Sequence, residues 1–418
     1  MMQQLMRALT TGAAILALTA GAGLADPRPE TWAHPHVAEA ARDELPPGGP
    51  EASLLEGVLA AFALNDAAAI SLLAPLTRDT RSDSSLGQAA ASTLGGVLLR
   101  QGRYAEASAA FEIALGDQAL DEEQSLGLQQ SLAVSAALAS TPAQTLPNYV
   151  EGSVPLARDL AGLAIAEVAI NGQMRGFVVD TGANLSVATE SQARALGLRR
   201  VGGDVTVGSV TSSSAGANLA VADQLALGSL VFHDVVFLVM PDEALTFAEG
   251  AYRIDGILGF PVLSRLERLS FEQMADGERL AWRRSGPAPD DRNLFVAGLT
   301  PHIYLELAGQ TAVFALDTGA NTTSLRHSAI ERSPELLDTA RRAGLAFGGA
   351  GGETRVQGWT LPSLNLTVND VTVSLPNVSV VEEAISREGV LGRLGRDALA
   401  GGFVLDFPAG VFALIQEE

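Results

Sequence analysis

From Glu51 to about Ser140, apolar residues recur every three or four positions, the period of helices that each bury one face. In QGRYAEASAAFEIALGD, residues Tyr104, Ala107, Phe111 and Ala114 form one such stripe, and Gly102 suits a turn between helices. Residues 86–100 read as the preceding helix, with less regular helical stretches at 53–74 and 122–138. The segment STPAQTLPNYVEGSVP then breaks the period and reads as a linker over 141–156.

Beyond Leu156 the pattern becomes short runs of Val, Ile, Leu and Phe divided by Gly, Asn and Ser, which predicts strands. Two of these stretches repeat. NGQMRGFVVDTGANLS aligns without a gap with AGQTAVFALDTGANTT at an offset of 137, and LGFPVLSRLERLSF (258–271) aligns with LGRDALAGGFVLDF (394–407) at an offset of 136. Two distant blocks at nearly one offset indicate a duplicated domain. RRSGPAPDD, between the copies, has linker composition. The chain therefore divides into a helical domain at 51–140, a linker at 141–156, lobe 1 at 157–283, a linker at 284–292 and lobe 2 at 293–416.

The first 25 residues form a different unit. Arg7 precedes an apolar run over residues 8–20, and Gly23-Leu24-Ala25 suits cleavage after Ala25. This predicts a signal peptide at 1–25 and a periplasmic or secreted protein, with no membrane span once the signal is removed. Residues 26–50 are rich in Pro and charge and read as an extended arm. His34 and His36 lie in that arm without further ligands nearby and read as a solvated loop.

Composition narrows the chemistry. The 418 residues include 27 basic ones, all Arg, against 48 acidic ones, for a net charge of −21. A surface so acidic disfavours nucleic acid and anionic membranes as partners. The absence of Lys removes Schiff-base and phosphate-loop lysines. With no Cys there is neither a disulfide nor a thiol nucleophile. The five His residues have no HExxH-like spacing and no GxSxG turn is present, so neither a metal nor another cofactor is expected.

What remains is a pair of carboxylates. Each repeat carries an apolar run to an Asp, Asp180 or Asp317, and the Gly two residues later permits a tight turn. If the lobes pack about a pseudo-twofold axis, the two carboxylates face each other and share one proton. The ionised member can then take a proton from water while the protonated one polarises a carbonyl oxygen. That is amide hydrolysis without a metal or a covalent intermediate.

Here the residues carry a family resemblance. The two DTGA motifs and the later Leu-Gly blocks resemble the aspartic proteases, the retropepsin branch in particular. LGRDALAGGFVLDF is similar to the apolar-Gly-Arg-Asn-Leu-Leu run that follows the retroviral flap. The likeness covers roughly residues 160–415. It implies a mainly β fold of two tandem retropepsin-like β-barrel lobes; the retroviral enzymes pair two identical chains, whereas here the duplication puts both halves of the site on one chain, with a monomer as the working unit. The region around Tyr104 resembles the second helix of a tetratricopeptide repeat, so the helical domain is tetratricopeptide-like. It serves either as a docking surface for a protein partner or as a cap on the lobes.

Carried over by position, the resemblance makes Asp180 and Asp317 the catalytic dyad. Thr181, Gly182, Ala183 and Ser186 in lobe 1, with Thr318, Gly319, Ala320 and Thr323 in lobe 2, would support the active-site loops. Thr181 and Thr318 would cross-bond beneath the dyad. Asn184 and Asn321 stand where the retroviral motif commonly has Asp, so a salt bridge to Arg396 is in question, and lobe 1 has Phe260 in place of that Arg. VGSVTSSSAG (207–216) and FGGAGGET (347–354) are the candidate flaps, with Gly208, Ser209 and Gly216 in one and Gly348, Gly349 and Gly351 in the other. Ala183 and Ala320 occupy positions where pepsins have Ser. Loss of those donors should raise the pair's pKa values and favour mildly acidic conditions. The implied activity is an endopeptidase acting on protein or peptide substrate; the alternative is an inactive peptide-binding scaffold.

Overall fold

The computed structural model describes residues 35, 38, 45, 48–78, 84–116, 120, 122–207, 215–349, 352–382 and 389–416. The expected signal peptide, most of the arm, His34 and His36 lie outside them. Five helices come first: α1 (Pro50–Phe62), α2 (Asp66–Leu76), α3 (Ser84–Arg100), α4 (Tyr104–Ala114) and α5 (Glu122–Ala137). Each packs on the next. The stretch expected to be helical over 53–74 is broken in two, because Asn65 caps α2 by accepting the Ala68 amide at 3.4 Å. The stripe of Tyr104, Ala107, Phe111 and Ala114 is buried as its spacing predicts. Phe111 lies so close to α3 that a Cβ at Gly95 would stand 2.6 Å from its ring.

The helices are fastened to lobe 1 by the segment expected to be a linker. Thr145 and His233 exchange both backbone hydrogen bonds, at 3.1 and 2.9 Å. Gln144 Nε2 donates to the Pro261 carbonyl at 2.7 Å, and the Tyr149 hydroxyl donates to Leu266 O at 2.8 Å. Residues 152–156 already belong to the first strand, paired with the strand that ends lobe 1. The stretch is therefore a bonded strap, since its backbone and side-chain donors find partners on the β surface.

Lobe 1 opens with β1 (Gly152–Arg158), β2 (Ala164–Ile170), β3 (Gln173–Val179) and β4 (Ser186–Thr189). It continues with β5 (Arg199–Val207), β6 (Ala215–Leu227) and β7 (Leu230–Met240). A small hairpin of β8 (Thr246–Phe247) and β9 (Tyr252–Arg253) precedes β10 (Gly256–Leu258), β11 (Arg268–Met274) and β12 (Gly277–Arg283). Lobe 2 repeats the plan with β13 (Leu294–Ala297), β14 (Thr300–Leu307), β15 (Gln310–Leu316) and β16 (Ser324–Arg326). Then follow β17 (Arg341–Gly349), β18 (Gly352–Val368), β19 (Val371–Val381), β20 (Val390–Leu394), β21 (Phe403–Asp406) and β22 (Val411–Leu414).

Lobe 1's sheet runs β22-β21-β11-β12-β1-β2-β3-β10-β4-β7-β6-β5, and a further β2–β6 pairing curls it toward a barrel. Lobe 2's sheet runs β13-β14-β15-β20-β16-β19-β18-β17, curled by β14–β18. The last two strands of lobe 2 thus extend the sheet of lobe 1, where Phe271 sits opposite Phe403 with stacked rings 4.5 Å apart. The lobes share a continuous apolar core across this seam. The connection at 284–292 is pinned there as well, with the Ser285 hydroxyl and the Gly286 amide donating to buried Asp406. Among the described residues, no helix is long and apolar enough to cross a membrane.

Candidate active site

In each lobe a strand delivers the Asp and a second strand, parallel to it, secures the turn. β3 runs beside β10, and β15 runs beside β20. The Asp180 amide donates to Leu258 O at 3.1 Å, and the Asp317 amide donates to Leu394 O at the same distance. The hydroxyl six residues after each Asp completes the lock. Ser186 Oγ accepts the Gly259 amide at 3.1 Å, and Thr323 Oγ1 accepts the Gly395 amide at 3.1 Å. The Ala183 carbonyl takes the Phe260 amide at 2.7 Å, while Ala320 O takes the Arg396 amide at 2.9 Å. These bonds explain the spacing within the motif. They also show that Leu394-Gly395 is the downstream block of lobe 2.

Beneath the dyad the two Thr residues bond across the lobes. Thr318 Oγ1 accepts the Thr181 amide at 3.0 Å and donates to Val179 O at 2.9 Å. Thr181 Oγ1 accepts the Thr318 amide at 3.2 Å and donates to Leu316 O at 3.0 Å. Each hydroxyl therefore both donates and accepts, which uses its bonding capacity in a fully buried setting. The crossing presses each carboxylate against the other lobe's loop. A Cβ at Gly182 would stand 2.7 Å from Asp317 Cγ, and one at Gly319 would stand 2.3 Å from Asp180 Oδ2. Only glycine leaves room for the pair.

Asp180 is 0% exposed and Asp317 is 4% exposed. Asp180 Oδ1 accepts the amides of Gly182 at 2.7 Å and Gly319 at 3.2 Å. Asp317 Oδ1 accepts the Ala320 amide at 2.9 Å, and Arg393 Nε lies 3.4 Å from Asp317 Oδ2. Burial pushes both carboxyl pKa values up, and the charge of Asp317 pushes Asp180 well up. On Asp317 the Arg393 guanidinium opposes the burial effect. The upward direction matches the expectation from Ala183 and Ala320, but its largest cause is burial.

The Asn pair bonds between the lobes. Asn184 Oδ1 accepts the Thr300 hydroxyl at 3.1 Å, and Asn321 Nδ2 donates to Ala161 O at 2.9 Å, so both bond across the lobe boundary. Arg396 lies among Arg158, Glu278, Asp159 and Tyr252, and burial pulls its pKa down to about 10. Its Nε and Nη1 are buried and have no hydrogen-bond partner among the described residues. Phe260, its counterpart in lobe 1, packs edge-on against Phe407 with centroids 5.5 Å apart.

Two residues of the site escape sequence reasoning. Arg393 is one. Asp397 is the other, with Oδ1 accepting the Thr323 amide at 2.8 Å and its hydroxyl at 2.7 Å. Arg393 directly precedes the downstream Leu-Gly block and Asp397 lies within it, and both differ from their counterparts in lobe 1, Ile257 and Pro261. That mismatch within the aligned repeats is the signal that could have found them.

Of the candidate flap residues, Gly216, Gly348 and Gly349 lie in strands that pair as hairpins. Val207 pairs with Ala215; Gly208 and Ser209 fall outside the described residues. Gly216 is exposed opposite Thr206, and a Cβ there would meet nothing within 4 Å. In lobe 2, Gly348 pairs with Glu353 and Gly349 with Gly352, while Gly351 falls outside the described residues.

No curated protein matches the chain. The crystal structure of a retropepsin-like aspartic protease from Rickettsia conorii is 21% identical over 32% of this chain and 97% of that one, with a TM-score of 0.21. The sequence profile of the Aspartyl protease family matches twice, over residues 166–262 and again over 303–394. Each match spans the Asp turn of one lobe and reaches the Leu-Gly block bonded to it, so the two lobes carry the Aspartyl protease family profile in tandem.

Proposed function

We propose that this chain is a periplasmic or secreted aspartic endopeptidase whose single active site is assembled from Asp180 of one lobe and Asp317 of the other. The observation that carries the reading is the reciprocal bonding of Thr181 and Thr318, which seats both carboxyls against the opposite loop. Two carboxyls so placed in a buried site favour the state with one proton between them. Water bound to the pair loses a proton to the ionised carboxylate as its oxygen attacks the substrate carbonyl carbon. The protonated carboxyl gives its proton to the carbonyl oxygen, forming a neutral tetrahedral diol. In the second step the first carboxyl passes its proton to the amide nitrogen and the C–N bond breaks. The remaining hydroxyl returns a proton to the other carboxyl, and the dyad is restored.

A protein or peptide is the substrate, and no cofactor enters the sequence of steps. The helical domain acts as a tetratricopeptide-like docking surface for a partner or substrate, fixed to lobe 1 by the strap that ends at β1. The test incubates the chain lacking residues 1–25 with a mixed peptide library across pH 3 to 7. Mass spectrometry reads the cuts, with Asp180→Asn and Asp317→Asn alongside. Cleavage at mildly acidic pH that disappears in both variants is the expected result. A folded protein that cuts nothing, with or without its helical domain, is instead a peptide-binding scaffold.

A further inference from the structure

We propose that Arg393 is a positioning residue that divides the labour of the dyad, holding Asp317 as the ionised carboxylate and leaving the proton on Asp180. The inference rests on the proposed function for its catalytic meaning, though not for its geometry. On the lobe 1 side Ile257 pairs with Val178; on the lobe 2 side Arg393 pairs with Ala315, the residue one repeat later. Arg393 and Ile257 therefore occupy the same place beside their respective Asp turns. One is a guanidinium with Nε 3.4 Å from Asp317 Oδ2, and the other is a fully buried aliphatic side chain.

The surroundings reinforce the asymmetry. Both amides that reach Asp180 fall on Oδ1, and Oδ2 is buried and accepts no hydrogen bond from the described residues. A protonated Oδ2 can donate to Asp317, the direction in which that carboxyl–carboxyl bond favours charge on Asp317. Among the described residues, the largest charge effects on the pair are that of Asp317 on Asp180 and that of Arg393 on Asp317. Across the sheet, Arg393 is flanked by Ala315 and Ser324, both neutral. Arg396 turns instead toward Asp159 and Glu278. Of the differences between the two Asp turns, Arg393 is the one that sets a full charge beside one carboxyl. With one Arg, Asp317 becomes the base that takes the proton from water, and Asp180 becomes the acid that serves the carbonyl oxygen.

The test replaces Arg393 by its counterpart in lobe 1, Arg393→Ile, with Arg393→Lys as the conservative variant. The pH profile of kcat/KM is measured for each. A neighbouring cation lowers a carboxyl pKa by roughly one to three units, so the acid limb of Arg393→Ile should move up by about that much. One unit of movement is about a tenfold loss at a pH on the acid limb, carried by kcat. Arg393→Lys should return the limb toward the wild type. Superimposable limbs with a uniform loss of rate would mean only a structural role and would overturn the proposal.

The order of titration is read independently, in the wild-type protein, from the ¹³C carboxyl signals of the two Asp residues. The signals are assigned by their loss in Asp180→Asn and Asp317→Asn. Asp317 should report the ionised form through the range in which Asp180 remains protonated; simultaneous titration or the reverse order sinks the idea. This reading needs no turnover. A protein that cuts nothing yet titrates in the stated order refutes the endopeptidase reading alone.

Discussion

The two lobes hold their Asp turns by the same backbone bonds and differ in side chains at three positions beside those turns. Asp180 and Asp317 hang from Leu carbonyls at one distance, Ser186 and Thr323 hold Gly amides at one distance, and the Thr hydroxyls are interchangeable in their roles. In the downstream block, lobe 1 offers Ile257, Phe260 and Pro261, whereas lobe 2 offers Arg393, Arg396 and Asp397. Lobe 1 uses those places for packing. Lobe 2 uses them for charge. The shape of the site needs only backbone groups, two glycines and a few hydroxyls, so the other side chains were free to diverge after duplication without disturbing it.

The largest break in the symmetry should do equal damage from either side. Asp180→Asn and Asp317→Asn should each lower kcat by about 10²–10⁴-fold, because each carboxyl has one proton transfer to perform. Peptide cleavage by the folded variants is the measurement, and a large loss in only one would contradict a shared site. Next comes the packing difference. Phe260 is 2% exposed against Phe407, so Phe260→Ala should cost about 3–5 kcal/mol in urea denaturation. Arg396→Met, at the equivalent place, should be neutral or stabilising, since a desolvated guanidinium gives way to an apolar side chain of similar reach.

The bond across the lobes tests what they have in common. Thr181→Val and Thr318→Val should each cost about 1–3 kcal/mol by leaving a buried amide and a buried carbonyl without their partner. Unequal costs would show that one lobe leans on the other. The smallest effect is in the pH dependence of stability. Asp180 has a folded-state pKa raised by burial, so between the unfolded value near ~3.9 and that raised value the native state binds more protons. Stability falls as pH rises through that window. Asp180→Asn removes the titration and should raise Tm by a few degrees at pH 7, with the gain fading as pH falls toward about 4. A gain of the same size at pH 3.5 would point to another cause.

Much of this arrangement is legible along the chain because it repeats. The helical stripe at Tyr104, Ala107, Phe111 and Ala114 is a local pattern, and burial follows it residue by residue. The Asp turns and their partner blocks recur at one offset, and the Thr pair falls where the resemblance places it. The strap at 141–151 was less legible. Pro and Ser suggest a linker, but the partners that order it, His233, Pro261 and Leu266, lie far along the sequence. The split of the first helical stretch at Asn65 turns on one side-chain cap, a small signal beside the apolar pattern. The candidate flaps are placed by position through the resemblance, and the strands that flank each pair as hairpins.

By itself the sequence determined the duplication, the two strand-to-Asp turns and the glycines and hydroxyls that those turns require. Each of these depends on neighbours a few residues away or on a copy of itself, so a linear reading recovers them. Only the tertiary structure decided that β21 and β22 of lobe 2 extend the sheet of lobe 1, and that Arg393 rather than Arg396 reaches the dyad. Sheet register sets both outcomes. Two arginines three residues apart look alike in the sequence, and the pairing of β20 with β15 turns one toward Asp317 while the other lies among Asp159, Tyr252 and Glu278.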